Sequence, residues 1–372
     1  MKNFLILGLM VLWIGFPSNL FGVETVKIAA IFGKTGPAAK SNLFHLQGVR
    51  FAVQTLNQRR GLLGKPVELV EFDNQSSALG SRFVTKKAIQ SGVIAVIGAS
   101  WSEHSLAMAP VLQEARIPMI SPISTDPELT RIGNYIFRVC FTDELQGKIL
   151  SRFARQDLHA KTAVILTKVT RQQSRNISQL FQEQFEKTGG TILWEGDFED
   201  SMTDFAPLLN KVRSLNPDLV FFPSGKAGFA ITQARKMGII TLFLGSDGWS
   251  DRAYDYGGSV IKGNYFTTHW HRDAPTPVSQ AFVKAYEAQH HKIEVSGIPL
   301  AYDAVMVLAD AVHRAGTLIP AQIRDALAQT RDYQGVTGLI TLDEAGDPIK
   351  PVVILQYGPQ TSQFIKMIDP AL

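Results

Sequence analysis

Short apolar segments alternate with amphipathic segments along most of this chain, and this alternation restricts the fold more than any other feature. The first apolar segment, Val26–Phe32, is followed by a segment with apolar residues spaced three and four apart on one helical face. These residues are Leu46, Val49, Val53 and Leu56. Apolar strands separated by helices are typical of a parallel sheet covered on both faces. The sequence therefore predicts an α/β fold.

The alternation occurs in two successive runs, which predicts two doubly wound parallel-sheet lobes. The predicted strands of the first run are Val26–Phe32, Val67–Phe72, Val93–Ile97 and Pro118–Ser121, and those of the second are Thr162–Leu166, Thr191–Trp194, Leu219–Phe222 and Leu242–Leu244. No linker rich in Pro, Gly or Ser separates the runs, so we place the junction in short strands near Phe141–Asp143. The helices and strands predicted after residue 300 cannot be assigned to either lobe from their pattern.

The first 22 residues form a segment of a different kind. Lys2 precedes an apolar run from Phe4 to Phe16, which ends at Pro17-Ser18-Asn19. A basic start, an apolar run and a polar break are typical of a secretory signal peptide, and the run is short for a membrane span. We therefore expect residues 1–22 to be a signal peptide and the mature protein to be periplasmic. An uncleaved N-terminal anchor is the alternative.

Composition and motifs argue against several functional classes. The net charge is only +4 and forms no long basic run, so the sequence gives no support for a nucleic-acid partner. Cys140 is the only cysteine, which excludes an intrachain disulfide. We find no nucleophile elbow, no dinucleotide fingerprint and no cluster with metal-site spacing. The sequence thus predicts a protein that is not an enzyme and has no cofactor and no metal.

Asp247 is the most informative single residue. It lies in the turn Gly245–Gly248, directly after the predicted strand Leu242–Leu244. Open α/β sheets bind their ligands at the carboxyl ends of their strands, so a carboxylate there suits the ammonium group of a ligand. Asp in a Gly-rich turn also bonds its own backbone, and the sequence leaves that role open. The sequence also leaves two roles open for Trp249, which could pack against a ligand or beneath the turn.

Two other strand-to-helix corners carry hydroxyl groups. Ser102 is placed as a helix N-cap, and Thr125 begins a stretch that fits a capping box, Thr125-Asp126-Pro127-Glu128. Helix N-termini also bind carboxylates. Capping explains each residue alone, but two such corners on neighbouring strands converge on one crevice. With Ser124 beside Thr125, and with Asp247, they predict a site for an amino acid.

Further motifs extend along the chain in a characteristic order. They are Thr35-Gly36-Pro37, Gln47-Gly48, Pro118–Pro122, Thr125–Thr130, Gln233-Ala234-Arg235 and Tyr302-Asp303-Ala304. In order and spacing the chain resembles the periplasmic solute-binding proteins of the branched-chain amino acid (Leu/Ile/Val-binding) type. The resemblance implies a type I periplasmic binding fold, in which two lobes joined by three crossover segments close on a small-molecule ligand. It also implies a monomer without catalytic activity that delivers its ligand to an ABC permease at the inner membrane.

By the same resemblance, the N-terminal lobe comprises residues 23–142 and about 270–342, and the C-terminal lobe comprises residues 143–269 and about 343–372. The ligand carboxylate would meet Ser102, Thr125 and the backbone of Ser124, and the ammonium would meet Asp247. A regulatory sensor of amides or amino acids with the same fold is the alternative function.

The chain departs from the family pattern around the ligand side chain. Ser41 stands where an aromatic residue is common, Gln172 where a Tyr is usual, and Gly297 near a late aromatic contact. Trp101 and Ser224 complete the candidate ligand-binding residues. We therefore expect a changed pocket that takes a polar or acidic side chain, or a bulkier group stacked on Trp101, in place of leucine.

Overall fold

The computed structural model describes residues 24–293 and 295–370, and the predicted signal peptide lies outside these described residues. The strands are β1 (Val26–Phe32), β2 (Val67–Asp73), β3 (Ala95–Gly98), β4 (Met119–Ser121), β5 (Ile136–Arg138), β6 (Thr162–Lys168), β7 (Thr191–Phe198), β8 (Leu219–Phe221), β9 (Leu242–Gly245), β10 (Tyr265–Thr268), β11 (Tyr333–Gly335), β12 (Gly338–Leu342), β13 (Pro348–Ile349), β14 (Val352–Tyr357) and β15 (Ser362–Ile368). The helices are α1 (Ala39–Gln58), α2 (Ala78–Gln90), α3 (Ser102–Ala115), α4 (Glu128–Arg131), α5 (Asp143–Gln156), α6 (Gln172–Lys187), α7 (Ala206–Leu215), α8 (Ala227–Lys236), α9 (Tyr254–Gly257), α10 (Pro277–Glu287), α11 (Gly297–Ala315) and α12 (Pro320–Ala328).

Two larger sheets repeat one strand order. The first sheet is β2-β1-β3-β4-β5, and all its neighbouring strands are parallel. The second contains the parallel series β7-β6-β8-β9-β10, extended at one edge by antiparallel β14 and β15. In each parallel series the order in which the chain adds strands reverses beside the central strand. Open α/β sheets bind ligands at such switch points, at the carboxyl ends of the strands. The predicted fold class of two doubly wound lobes is confirmed.

The late helices pack against the first sheet. α11 buries its apolar residues in the same core as β1, β3 and the inner face of α1. Gly48 of α1 permits this close approach, because a Cβ atom there would lie 2.1 Å from the carbonyl oxygen of Ile298. β14 contributes to both cores on the two faces of the second sheet. Among the described residues, no single helix is long and apolar enough to cross a membrane. The helices α11 and α12 meet the length and composition criteria only when taken together, and the angle between them is 107°.

The junction between the lobes differs from the predicted short strands. Phe141 and Thr142 have irregular backbone, and Asp143 begins α5, because the Thr142 hydroxyl accepts a hydrogen bond from the Leu145 N–H at 3.2 Å and caps that helix. The buried Lys350 ammonium donates to the Val139 carbonyl at 3.1 Å, and burial lowers its pKa to about 8. This bond joins the chain before α5 to the chain before β14, where both pass between the two sheets.

Candidate functional site

Every predicted ligand-binding residue follows the carboxyl end of a central parallel strand. Ser41 follows β1, Trp101 and Ser102 follow β3, Ser124 and Thr125 follow β4, Gln172 follows β6, Ser224 follows β8, and Asp247 follows β9. These strands include both partners at the switch point of each sheet. The loops and helix ends after them make contacts from one sheet to the other, so the candidate site lies between the lobes.

The corner after β3 presents a buried hydroxyl. Trp101 occupies the N-cap position of α3 without a side-chain capping bond, and Ser102 is the first helical residue, so the predicted N-cap role of Ser102 is wrong. Ser102 accepts a hydrogen bond from the Asp126 N–H at 3.4 Å, which joins this corner to the one after β4. A hydroxyl that accepts one bond still has a proton to donate. Ser102 can therefore donate to a carboxylate at the start of α3.

The corner after β4 is held by its neighbours, and Thr125 does not cap a helix. The Oδ1 atom of Asp126 accepts from the Glu128 N–H at 2.9 Å and closes the turn before the short helix α4. Thr125 is 2% exposed, and its carbonyl accepts from the Asp143 N–H at 2.9 Å. Its hydroxyl is thus not needed for the capping box that its sequence suggests.

Ser124 is fully engaged within the protein. Its hydroxyl lies 2.7 Å from the Ser105 hydroxyl, and its N–H donates to Ser121 Oγ at 3.1 Å. Its carbonyl accepts from the Arg138 guanidinium at 2.7 Å. Ser124 therefore fixes the backbone of this corner, and direct contact of Ser124 with a ligand stays a prediction.

Asp247 bonds to other elements and not to its own turn. Its Oδ1 accepts from Gln173 Nε2 at 2.9 Å, and its Oδ2 lies 3.1 Å from His269 Nε2. Its N–H donates to Gln146 Oε1 at 3.3 Å. The side chain is only 9% exposed. Trp249 packs beneath the turn, where its indole N–H donates to the Phe222 carbonyl at 2.7 Å, so of its two open roles the structure shows packing.

Sequence reasoning missed Asp143 and Gln146, which lie one turn apart at the start of α5. Both are fully buried, and neither the carboxyl oxygens of Asp143 nor Nε2 of Gln146 makes a hydrogen bond of normal geometry. Burial raises the pKa of Asp143 well above its usual value, the nearby Asp247 raises it further, and the Thr125 side chain opposes the shift. The Asp143 N–H donates to the Thr125 carbonyl, and the Gln146 side-chain oxygen Oε1 accepts from the Asp247 N–H. The only signal in the sequence was an acid next to the predicted junction.

The start of α6 makes several contacts that join the lobes across the mouth of the site. The Arg171 guanidinium lies 3.7 Å from the centre of the Trp101 ring and 3.3 Å from the Glu103 carboxylate. Gln172 Nε2 donates to Asp126 Oδ2 at 2.8 Å, and Asn176 Nδ2 donates to the same oxygen at 3.2 Å. The helix α6 of the second lobe therefore closes directly on the two hydroxyl corners of the first.

Ser41 and Ser224 make only local side-chain bonds. The Ser41 hydroxyl donates to the Ala38 carbonyl at 2.9 Å within the first turn of α1. Ser224 Oγ accepts from the Lys226 N–H at 3.4 Å and stabilises the turn before α8. The structure thus brings Trp101, Ser102, Thr125, Gln172 and Asp247 into one connected network, and a ligand contact by Ser41 or Ser224 stays a prediction.

Two doubly wound lobes with a buried polar site between their strand ends define a two-lobed ligand-binding architecture. A family model described as periplasmic binding protein matches residues 25–362. The chain belongs to this family.

Similar proteins extend over nearly the full length of the chain. It is 25% identical to the leucine-, isoleucine-, valine-, threonine- and alanine-binding protein of Pseudomonas aeruginosa, over 90% of each chain. Its fold matches that of the leucine-binding protein LivK from Thermotoga maritima with a TM-score of 0.86 and 34% identity, covering 93% of this chain and 99% of that one. The transporter substrate-binding protein LivJ from Streptococcus pneumoniae, solved with isoleucine, also has a TM-score of 0.86, at 29% identity and with 93% and 100% coverage.

Proposed function

We propose that this protein is the periplasmic receptor of an ABC importer and captures an amino acid between its lobes. One observation carries the proposal: a buried acid pair, Asp143 and Asp247, lies beside the hydroxyl corners of Ser102 and Thr125. An α-amino acid has an ammonium and a carboxylate on one carbon, so it needs opposite partners side by side. The relatives named above bind amino acids, which favours the same ligand class here.

The chemistry of capture follows from the two ends of the site. The ligand carboxylate accepts from the Ser102 hydroxyl and from the first N–H groups of α3, where the helix dipole also favours negative charge. The ammonium donates to Asp247, which His269 and Gln173 hold in place. Hydrogen bonds between charged groups in a closed cleft are stronger than neutral ones, so the clamp selects zwitterions.

Closure of the lobes is the output that a transport partner would detect. We propose that α6 moves with the second lobe and that its contacts to Trp101, Glu103 and Asp126 form when a ligand is bound. The protein itself performs no reaction, and the importer's membrane permease receives the ligand. A regulatory partner in place of a permease is the second candidate, and genes for two permeases and two ATPases beside this one would favour import.

Ligand screening by thermal unfolding tests the proposal. The mature protein is heated with each standard amino acid and with a set of small amides and carboxylic acids. A ligand at 100 times its dissociation constant adds about 2.7 kcal/mol to the free energy of unfolding. We expect at least one amino acid to give such a shift. If amides or carboxylic acids raise the melting temperature and no amino acid does, the proposal is wrong.

Arg171→Ala should weaken binding by opening the closed state. The variant loses the stacking on Trp101 and the ion pair with Glu103, each worth about 0.5–1 kcal/mol near a surface. We expect about a five- to thirtyfold larger dissociation constant, mostly through faster release, measured by stopped-flow fluorescence of the tryptophans. Arg175→Ala is the matched control, because Arg175 bonds the Val169 carbonyl within its own lobe. Equal release rates for both variants would exclude Arg171 from closure.

A further inference from the structure

Among the described residues, three buried histidines each have one ring nitrogen without a hydrogen-bond partner: Nε2 of His45 in α1, Nδ1 of His104 in α3 and Nδ1 of His269 after β10. The two that interact with each other are His45 and His269. His45 is 6% exposed and His269 is 1% exposed. A charge on His269 would lower the pKa of His45, so the two residues are electrostatic neighbours.

The bonds of His45 determine which of its nitrogens carries the proton. Nδ1 lies 3.1 Å from the Ser41 carbonyl and 3.0 Å from the Ser100 hydroxyl. A carbonyl only accepts, so Nδ1 carries the proton. Burial lowers the pKa of His45 to about 4, the Ser41 carbonyl opposes this shift and nearby His269 adds to it. The ring is therefore neutral, and Nε2 is a bare acceptor.

The same reasoning applies to His269. Its Nε2 lies 3.1 Å from Oδ2 of Asp247, and a carboxylate only accepts, so Nε2 carries the proton. Burial lowers the pKa of His269, although the bond to Asp247 opposes the shift. A neutral ring leaves Nδ1 as a second bare acceptor. This ring is stacked on Phe141 with 3.7 Å between the ring centres.

The position of His45 connects it to the ligand site. Ser100, its partner, lies two residues before Ser102 in the loop between β3 and α3. His45 Nε2 faces Gly297 at the start of α11, where an added Cβ atom would lie only 2.5 Å away, so the position beside this nitrogen requires glycine. Buried polar atoms are almost always hydrogen-bonded in native proteins. The missing partner of His45 is therefore a donor, and the interlobe ligand is the group that can bring one.

We propose that the ligand is an amino acid whose side chain carries an N–H or O–H donor, and that Nε2 of His45 accepts from it. This inference rests on the proposed function and specifies its ligand. A hydroxyl side chain has one proton to donate to His45, and the NH2 group of a carboxamide side chain has two, enough for both histidines. An aliphatic side chain leaves both acceptors unpaired, and a carboxylate side chain adds acceptors to a site that already has two. His45 is thus a specificity-determining residue that the sequence did not indicate.

The first test is the ranking of the twenty standard amino acids by isothermal titration calorimetry at neutral pH. The tightest ligand should have a side-chain donor and should bind about tenfold or more tighter than a near-isostere without one. Suitable pairs are threonine and valine, asparagine and leucine, and glutamine and methionine. A tightest ligand without a side-chain donor overturns the inference and leaves the proposed function standing. If none of the twenty amino acids binds, both this inference and the proposed function are wrong.

Two variants of His45 test whether this residue sets the preference. His45→Phe keeps an aromatic ring against Phe32 and removes the acceptor, so it should reduce the preference within a pair to about threefold or less. His45→Gln places an amide oxygen within similar reach and should retain the preference. A preference that is unchanged in His45→Phe overturns the role of His45. If His45→Phe shows no cooperative melting, His45→Gln decides, because loss of the preference there also contradicts the role.

Discussion

Asp247→Ala should weaken amino-acid binding at least tenfold, which corresponds to about 1.4 kcal/mol. The side chain is 9% exposed, so its charge pair with a ligand ammonium forms away from water. Truncating one partner of a buried charge pair costs about 2–5 kcal/mol, much of it from the charge left alone. Isothermal titration calorimetry with the amino acid that gives the largest thermal shift measures the change.

The specificity of this loss separates a ligand contact from general damage. The analogue that lacks only the α-amino group has no charge to place on Asp247, so its weaker binding should hardly change in the variant. Asp255→Asn, at an exposed acid of α9 in the same lobe, is the matched control and should bind normally. An equal loss for the amino acid and for its des-amino analogue would show that Asp247 does not bind the ammonium.

The strands were predictable because they depend on local pattern. The predicted Val26–Phe32 coincides with β1, and the second-run strands differ from β6, β8 and β9 by a few residues at their carboxyl ends. β10 was missed, since it is four residues long and ends in Thr267 and Thr268 without an apolar run. α5 was missed because the chain was expected to cross between lobes as a strand at that point, and the Thr142 cap was not recognised.

The site was predictable only where it follows from strand ends. Asp247, Ser102 and Thr125 were predicted as site residues because each follows the end of an apolar strand, and their contact with a ligand stays a prediction. Asp143, Gln146 and His45 lie on helices and look like ordinary polar positions, and only long-range packing buries them. Their chemistry depends on missing partners, which no sequence pattern records. We expected a ligand group to stack on Trp101. In the structure the Arg171 guanidinium of the opposite lobe lies over this ring, 3.7 Å from its centre, and nothing in the sequence indicated that contact.

Asp143→Asn should stabilise the ligand-free protein and weaken amino-acid binding at the same time. The carboxyl group is fully buried without a normal hydrogen bond, and burial together with Asp247 raises its pKa well above 3.8. Burial therefore disfavours the ionised form of this acid in the folded protein, and asparagine removes that cost. A shift of one pKa unit is equivalent to about 1.4 kcal/mol, and we expect a gain of at least this size at pH 7.

Ligand binding has the opposite effect on the ionisation of Asp143, because a ligand ammonium placed between Asp143 and Asp247 favours the ionised carboxylate. Asp143→Asn should therefore bind the amino acid about tenfold more weakly and should reduce the number of protons released on binding, measured by calorimetry in buffers of different ionisation enthalpy. Thr125, Asp126 and Arg138 also act on this carboxyl, and all three remain in the variant. A variant that binds as tightly as the wild type would show that Asp143 lies outside the ammonium site.

The pH dependence of unfolding decides whether the proton is the cause. A pKa that is higher in the folded than in the unfolded chain gives stability that is complete below about pH 3.8 and declines as pH rises towards the folded value. The advantage of Asp143→Asn should thus be small at pH 4 and grow towards pH 7 in chemical denaturation. Asp303→Asn is the matched control, since Asp303 is equally buried but accepts bonds from Val336 and Thr337 at 2.6–2.8 Å, and it should lose stability. A gain for Asp143→Asn that is constant with pH would assign the effect to packing and not to ionisation.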